Sequence, residues 1–290
     1  MELRKSERKR AKIKMAIQAP SGAGKTYSSL LLADGLLGGD LSKVAIIDTE
    51  NGSADLYAHL GSYNVISLKG VYSPEEYIKA IEVCENAEME VIIIDSLSHC
   101  WDFLLEYHSS LQGNSFTNWS KITPRHKSLI HKILQCDAHV IATMRTKQDY
   151  VLNQKDGKYT PEKVGLKAVQ REGMDYEFTL VFDIDVKHFT TSSKDRTGLF
   201  MDKSAFKITS NTGKEILDWC NSGTNLSQAR EKIKQCNSIE NLRKLYAQYG
   251  IWRELLEYDF MKQKDAIYNK NEEMRILPKQ TNYGSHSTTN

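Results

Sequence analysis

The stretch KIKMAIQAPSGAGKT, residues 12–26, changes from one local pattern to another within fifteen positions. Its apolar residues Ile13, Met15 and Ile17 alternate along the chain, as in a β-strand, before a proline and two glycines form a loop. From Lys25 onward the apolar spacing becomes helical. A strand, a glycine-rich loop and a helix in this order are typical of a site that binds an anionic group at the helix start.

Strand and helix patterns continue to alternate after this stretch. The runs VAIID (44–48) and VIIID (91–95) are continuously apolar, which favours strands covered on both faces. Between them, SPEEYIKAIEVCENA (73–87) opens with a capping serine and a proline, and therefore predicts a helix. Two further helical stretches precede HVIAT (139–143). The alternation predicts an α/β fold with a mainly parallel central sheet.

The pattern is different beyond Thr143. Residues 145–172 are polar and predict a long loop. In contrast, EFTLVFDIDV (177–186) alternates strictly between apolar and polar residues and predicts a strand. Further short strands are predicted near 198–209, and we expect all of these strands to be antiparallel and peripheral. The remainder has helical spacing and predicts a small helical core. The expected organisation is a basic N-terminal arm (1–11), an α/β core (12–222), a helical C-terminal region (223–270) and a flexible tail (271–290).

Composition excludes several classes of protein. The chain has 290 residues, of which 40% are hydrophobic, and its 39 basic and 37 acidic residues nearly cancel. Its 17 glycines and 5 prolines are too few for a collagen-like chain, and its 9% aromatic content argues against a wholly disordered one. No apolar run approaches the roughly 20 residues that cross a bilayer, so we expect no membrane association. Five cysteines without CxxC spacing indicate reduced thiols and a cytoplasmic location, without a zinc site.

The segment APSGAGKT (19–26) carries the strongest chemical signal. Its glycines allow backbone N–H groups to surround a phosphate, Lys25 is placed to reach the β- and γ-phosphates of ATP, and Thr26 offers a hydroxyl to Mg²⁺. The first position is Ala19, where the usual pattern has glycine, and alanine is acceptable there if its backbone is not left-handed. The predicted nucleotide contacts are Pro20, Ser21, Gly22, Ala23, Gly24, Lys25, Thr26 and Tyr27.

Two carboxylates are predicted at the same edge of the sheet. Asp95 ends the strand VIIID and is expected to hold Mg²⁺ through water, with Ser96 helping to orient it. Glu50 follows the strand VAIID and is placed to orient and deprotonate an attacking water, although a capping or surface role would also explain it.

The segment VAIIDTENGSADLYA (44–58) resembles the part of RecA in which a strand ends in Asp-x-Glu. The resemblance is closer to a phage branch of RecA-like P-loop ATPases of AAA type, implicated in single-strand annealing and recombination. It covers about 12–210 and is carried, in order, by APSGAGKT, IDTENGSADLY, VIIIDSLSH, NWSKITP, HVIATMRTK and KDRTGLF. It implies a Mg²⁺-dependent ATPase that acts on single-stranded DNA, as a ring or filament, in the host cytoplasm if phage-encoded.

The resemblance also implies roles for residues outside the loop. Thr143 and Arg145 end the strand at which RecA-like proteins place a sensor of the γ-phosphate. Lys194 and Arg196 resemble the Lys-x-Arg pair that related hexameric ATPases project into the nucleotide of a neighbour, where two positive charges stabilise phosphoryl transfer. A solvated turn around Asp195 is the alternative interpretation.

Residues 145–172 occupy the position of the second DNA-binding loop of RecA. Basic side chains there would follow phosphates, and tyrosines would stack on bases, although many basic loops are merely solvated. The basic arm at 4–14 would add electrostatic affinity. The predicted DNA contacts are Arg145, Lys147, Tyr150, Lys155, Lys158, Tyr159, Lys163, Lys167 and Arg171.

Two other functions compete with this one. A helicase loader or packaging accessory would use ATP as an assembly signal, with a replicative helicase or a single-strand-binding protein as partner. A GTP-driven switch is suggested by TKQD (146–149), which fits the TKxD pattern that reads guanine. Such a switch also needs Asp-x-x-Gly, but SLS follows Asp95, and the first glycine after Asp48 is Gly52, one residue too late.

Overall fold

The computed structural model describes residues 11–155, 158–222, 226–249 and 253–276, and the side chains of 148–166 lie outside what it describes. The chain separates into two compact units, Ala11–Ser222 and the helices that follow Gly223. The first unit contains the whole sheet. Its strands are β1 (Lys14–Ala19), β2 (Val44–Asp48), β3 (Asn64–Ser67), β4 (Val91–Asp95), β5 (His139–Lys155), β6 (Lys158–Ala168), β7 (Leu180–Ile184) and β8 (Thr190–Asp195).

Helices cover both faces of the sheet. Its strand order is β3-β2-β4-β5-β1-β7-β8, and the pairs from β3 to β7 are all parallel. This confirms the predicted α/β class with a mainly parallel sheet. The helices of this unit are α1 (Lys25–Leu36), α2 (Pro74–Asn86), α3 (Ser98–Ser110), α4 (Ser115–Gln135) and α5 (Ser210–Asn221).

The central strands are apolar throughout because each face of the sheet has its own core. In β4, Ile92 and Ile94 pack on one side, whereas Val91 and Ile93 pack on the other, and all four are buried. Successive side chains of a strand point to opposite faces, so a strand that is covered twice needs apolar residues at every position. The polar residue Asp95 is placed where the apolar run stops, at the carboxyl edge of the sheet.

Two expectations for residues 145–186 were wrong. The polar stretch 145–172 is mostly a two-stranded antiparallel ribbon, in which the outer part of β5 pairs with β6. A ribbon that leaves the sheet has no core to cover, so its sequence lacks the apolar alternation that marks a half-buried strand. Strand β7 is parallel to β1 and is buried on both faces at Leu180, Val181 and Phe182, so it is not the antiparallel, peripheral strand expected for 177–186.

Strand β8 closes this side of the sheet and pairs antiparallel with β7. It lies at 190–195, before the 198–209 region in which short strands were expected, and only an isolated bridge between Thr190 and Phe206 falls there. Its sequence TTSSKD has no apolar alternation, which is why the pattern missed it.

The second unit is helical. It contains α6 (Leu226–Lys234), α7 (Ile239–Gln248) and α8 (Arg253–Ile276), and its small core includes Ile233, Leu242, Leu256 and Phe260. Helix α7 starts at a serine cap, because the Ser238 side chain accepts a hydrogen bond from the backbone N–H of Asn241. Helix α8 continues into the segment 271–276, where the sequence suggested a tail. Within the described ranges, no helix has the length and apolarity needed to span a membrane.

Helix α5 packs closely against α1, the helix that follows the glycine-rich loop. At the crossing, two glycines face each other: a Cβ atom on Gly213 would lie 2.2 Å from the carbonyl oxygen of Leu32 and 2.9 Å from the Cα of Gly35. A Cβ atom on Gly35 would lie 1.9 Å from the carbonyl oxygen of Ser210. The blocking atoms belong to the backbone, so they cannot rotate away as a side chain would.

We therefore expect Gly213→Ala to destabilise the α/β unit although alanine is the better helix former. The intrinsic gain of about 1 kcal/mol is outweighed by an overpacking cost of about 1–3 kcal/mol or more, so the midpoint of thermal unfolding should fall by several degrees. Lys214→Ala, at the exposed neighbouring position of α5, is the control and should leave it nearly unchanged. A Gly213→Ala protein as stable as the parent would contradict the close crossing.

Candidate nucleotide-binding site

The glycine-rich loop spans residues 20–24, between β1 and α1. Gly22 and Gly24 have φ angles of 78° and 87°, a region that costs other residues steric energy. Ala19 is the buried last residue of β1 and is not left-handed, so alanine meets the condition set for this position. Gly24 immediately precedes α1, and the loop therefore leads its backbone N–H groups into the positive end of a helix dipole.

The Lys25 side chain folds back across this loop. Its Nζ donates to the carbonyl oxygens of Ala19 at 3.2 Å and Pro20 at 3.0 Å, and the side chain is nearly buried. Burial lowers the pKa of Lys25 from its ordinary value, and the nearby negative charges of Asp95 and Glu50 act against that shift. An anion placed inside the loop would supply the counter-charge that this ammonium group lacks.

Two threonine hydroxyls donate to the Asp95 carboxylate. Thr26 Oγ1 lies 2.5 Å from Asp95 Oδ2, and Thr143 Oγ1 lies 2.6 Å from Asp95 Oδ1. Asp95 is 1% exposed, and burial raises its pKa above the ordinary value although both hydroxyls act to lower it. A buried carboxylate next to a threonine hydroxyl is a set of hard oxygen donors, which fits Mg²⁺.

Both oxygens of Glu50 are engaged at the same edge. Arg145 Nε donates to Glu50 Oε1 at 2.9 Å, Arg145 Nη2 donates to Oε2, and Ser96 Oγ donates to Oε1 at 3.2 Å. Burial acts to raise the pKa of Glu50, but the hydrogen bonds and charge of Arg145 outweigh it, so the pKa is lowered. The side chain of Asp48 holds the turn, because its Oδ1 accepts the Glu50 backbone N–H at 2.6 Å.

Sequence reasoning missed Thr49 and His99, which connect the two acidic segments. The Thr49 backbone N–H donates to the Asp95 carbonyl oxygen at 2.8 Å, and Thr49 Oγ1 accepts from the Ser96 backbone N–H at 2.9 Å. Thr49 Oγ1 also lies 2.7 Å from His99 Nδ1. The position of Thr49 between Asp48 and Glu50 was the available signal, whereas nothing in the sequence around His99 indicates a contact fifty residues away.

A third missed residue, His188, contacts the loop itself. His188, in the turn between β7 and β8, has a φ of 66°, and its Nδ1 is 3.1 Å from the carbonyl oxygen of Ala23. Tyr27, in the first turn of α1, is 40% exposed, and its ring centroid lies 5.7 Å from that of Tyr57. The loop is thus flanked by ring-bearing side chains, of which only Tyr27 was predicted from the sequence.

The structure places Lys194 and Arg196 far from the loop of their own chain. Asp195 pairs with Leu180, the first residue of β7, so this segment lies at the amino edge of the parallel strands. Lys194 Nζ donates to the carbonyl oxygens of Asp175, at 3.0 Å, and Tyr176, and Arg196 Nη2 donates to that of Tyr176 at 3.3 Å. The two edges are roughly 15–20 Å apart for strands of this length, so neither side chain reaches its own loop.

The predicted DNA contacts divide into four groups. Arg145 belongs to the cluster around Glu50, while Lys147 and Lys167 lie opposite each other at the base of the ribbon. Arg171 follows the ribbon, and its backbone N–H donates to Gln170 Oε1 at 3.0 Å. The remaining side chains lie outside the described residues: Tyr150, Lys155, Lys158, Tyr159 and Lys163.

Comparison with known proteins agrees with this geometry. A family model described as AAA domain matches residues 11–230, which is more than half of the chain, and the protein therefore belongs to this family. Membership indicates a P-loop ATPase, for which nucleotide and typically Mg²⁺ are expected. Among curated proteins, no match was found.

The raised pKa of Asp95 predicts a stability gain when its charge is removed. In Mg²⁺-free buffer at neutral pH, Asp95→Asn should raise the unfolding midpoint, because the ionised carboxylate is disfavoured by burial. A group whose folded pKa is raised stabilises the protein at low pH, and this contribution is lost as the pH rises through that value. This loss of stability with rising pH should be absent in Asp95→Asn, which has no carboxylate to ionise at this position.

Thermal unfolding between pH 4 and 8 measures this effect, with Asp202→Asn on an exposed turn as the control for charge removal. If Asp95→Asn is less stable than the parent at neutral pH, then the hydrogen bonds of this carboxylate outweigh the cost of burying its charge, and the prediction is wrong.

Proposed function

We propose that this protein is a Mg²⁺-dependent, ATP-hydrolysing RecA-like protein that acts on single-stranded DNA in annealing or recombination of the phage type. The single observation that carries the hydrolytic part is the meeting of Lys25, Thr26, Asp95 and Glu50 at one edge of the sheet. In this proposal the loop binds a triphosphate, Thr26 and Asp95 hold the metal beside it, and Glu50 is the carboxylate that activates the attacking water.

Each residue has a separate task in this proposal. Lys25 and the loop N–H groups hold the β- and γ-phosphates, and Thr26 and Asp95 hold Mg²⁺, which neutralises phosphate charge when bound. Glu50 orients the attacking water and accepts its proton. Thr143, within β5, donates to the metal-binding carboxylate and would sense the γ-phosphate.

The basic residues at both ends of the sheet support an oligomer on DNA. Lys147 and Lys167 at the base of the ribbon provide positive charge for a phosphate backbone. Lys194 and Arg196 lie at the edge away from their own loop, which leaves the nucleotide of a neighbouring subunit as the one they would stabilise. A ring or a filament in the cytoplasm, the host's if phage-encoded, would bring such edges together.

The GTP-driven switch is less well supported. The segment TKQD lies within β5, and the backbone of Asp149 pairs with Gly165 in the ribbon. A guanine-reading segment has to face the base from a strand end, whereas this one continues as a strand. A helicase loader or packaging accessory that uses ATP as an assembly signal remains the second candidate, with a replicative helicase or single-strand-binding protein as partner.

The hydrolytic role of Glu50 is tested by Glu50→Gln. We expect kcat for ATP to fall by about 10²–10⁴-fold, the usual contribution of a general base, while nucleotide binding persists. Lys25→Ala should instead weaken the binding itself. Steady-state ATPase assays with and without single-stranded DNA, combined with nucleotide titrations, separate the two effects.

Glu75→Gln is the matched control, because Glu75 also forms a two-bonded pair with an arginine, Arg125, but on an exposed surface between α2 and α4. It should hydrolyse ATP at the parental rate. Undiminished hydrolysis by Glu50→Gln would remove Glu50 from the mechanism.

A further inference from the structure

A polar cleft lies on the face of the sheet opposite α1. Its volume is about 490 Å³, within the usual range for small-molecule sites. Gln18 of β1 and Asp183 of β7 line it side by side, because they are Cα partners in the parallel pairing of these strands. Along the chain they alternate with Ile17 and Phe182, which pack in the core on the α1 side, so the two polar side chains face the other way.

Polar groups of the cleft have unused hydrogen-bonding capacity. Thr146 Oγ1 is buried without a hydrogen bond to any described residue, and the Gln18 side chain likewise has no partner in the described part of the chain. Asp183 accepts a hydrogen bond from Ser193, which leaves further acceptor positions on its carboxylate. Burial and the negative charge of Asp175 raise the pKa of Asp183, so its ionised form is short of donors.

The donors and acceptors of the cleft fit a neutral polar group better than a cation. The rim carries two basic and two acidic residues: Lys167, Arg171, Glu172 and Asp175. A cation could pair with Asp183, but it would leave the amide N–H groups of Gln18 without an acceptor. A neutral group that donates on one side and accepts on the other would satisfy Asp183, Gln18 and Thr146 together.

We propose that the cleft binds the guanine base of a nucleotide, with the Asp183 carboxylate accepting from N1–H and the N2 amino group. The Gln18 amide or the Thr146 hydroxyl donates to O6. Met144 and Met174 line the cleft as apolar residues, and thioethers pack well against aromatic rings.

The choice of guanine follows from the carboxylate, which offers acceptors only. The Watson–Crick edge of guanine presents two adjacent donors. Adenine and cytosine place a ring acceptor beside their amino group, and thymine or uracil places one N–H between two carbonyl oxygens. Each of these would set an acceptor against the carboxylate, and an acceptor facing an acceptor leaves buried polar groups unpaired. Guanine is therefore the common base that Asp183 accommodates fully.

The cleft is distinct from the phosphate loop. The loop leads into α1, whose buried residues belong to the core on the other face of the sheet. Guanine recognition therefore goes beyond the proposed function and does not depend on ATP hydrolysis. Two sources could provide the base: a free guanosine nucleotide, or a guanine of single-stranded DNA that reaches the base of the ribbon, where Thr146 pairs with Ala168.

The first test is calorimetric titration of the full-length protein with guanosine monophosphate. A non-hydrolysable ATP analogue and Mg²⁺ are present to occupy the loop. Inosine monophosphate lacks the N2 amino group and should bind about ten- to a hundredfold more weakly, the usual effect of losing a hydrogen bond to a charged group. Adenosine monophosphate should bind more weakly still. Equal binding of the guanosine and adenosine nucleotides would overturn the proposal.

Asp183→Asn should exchange the base preference. The asparagine amide presents one acceptor and one donor, which match the N1–H and the O2 of xanthine. We expect this variant to lose about ten- to a hundredfold in affinity for guanosine monophosphate and to gain affinity for xanthosine monophosphate. A misfolded variant could not gain a ligand, so a loss without this gain counts against the proposal. Asp202→Asn, on an exposed turn, controls for charge removal and should keep the parental preference.

Labelled oligothymidylates with a single central guanine or adenine identify the source of the base. Tighter binding of the guanine oligonucleotide, lost in Asp183→Asn, supports a base read within a bound strand. Equal binding of both oligonucleotides, together with binding of guanosine monophosphate, supports a free nucleotide. If neither form of guanine is preferred, the proposal is wrong. The ATPase rate of the parent is measured separately, because its absence would refute the proposed function without affecting guanine binding.

Discussion

The buried carboxylate of Asp95 holds the nucleotide-binding edge of the sheet together. Through Thr26 it contacts the start of α1, through Thr143 the inner part of β5, and through its backbone carbonyl the turn that carries Glu50. Three segments distant in sequence are thus arranged around one residue that follows four apolar ones. The low exposure of Asp95 makes its hydrogen bonds strong and its charge unfavourable, so the same burial both orders the site and opposes folding.

Two acidic residues lie between two basic residues along this edge. Lys25, Asp95, Glu50 and Arg145 follow one another from the loop to the base of the ribbon, and each interacts electrostatically with its neighbours. A change at one end, such as the arrival of a triphosphate or the removal of Arg145, therefore alters the balance at the next position.

The sheet has two functionally different edges. Parallel strands direct all their carboxyl ends to one side, so the loop and its acids gather there, whereas the antiparallel β8 returns Lys194 and Arg196 to the other side. Within one chain these positive charges hold carbonyl oxygens of the turn at residues 174–177. In the proposed oligomer they would meet the carboxyl edge of a neighbour. The antiparallel direction of β8, which carries them away from the loop of their own chain, would then explain why a complete site needs two subunits.

Local sequence was sufficient for the parallel sheet, the phosphate loop and the positions of Asp95 and Glu50, because doubly covered strands are apolar throughout and their polar ends lie at one edge. It failed for the ribbon and for β7. Solvated strands carry no periodic signal, and the direction of a strand depends on its partner rather than on its residues. The pairing of Glu50 with Arg145 likewise required the tertiary structure: ninety-five residues separate them, and only the adjacency of β4 to both β2 and β5 brings them within hydrogen-bond distance.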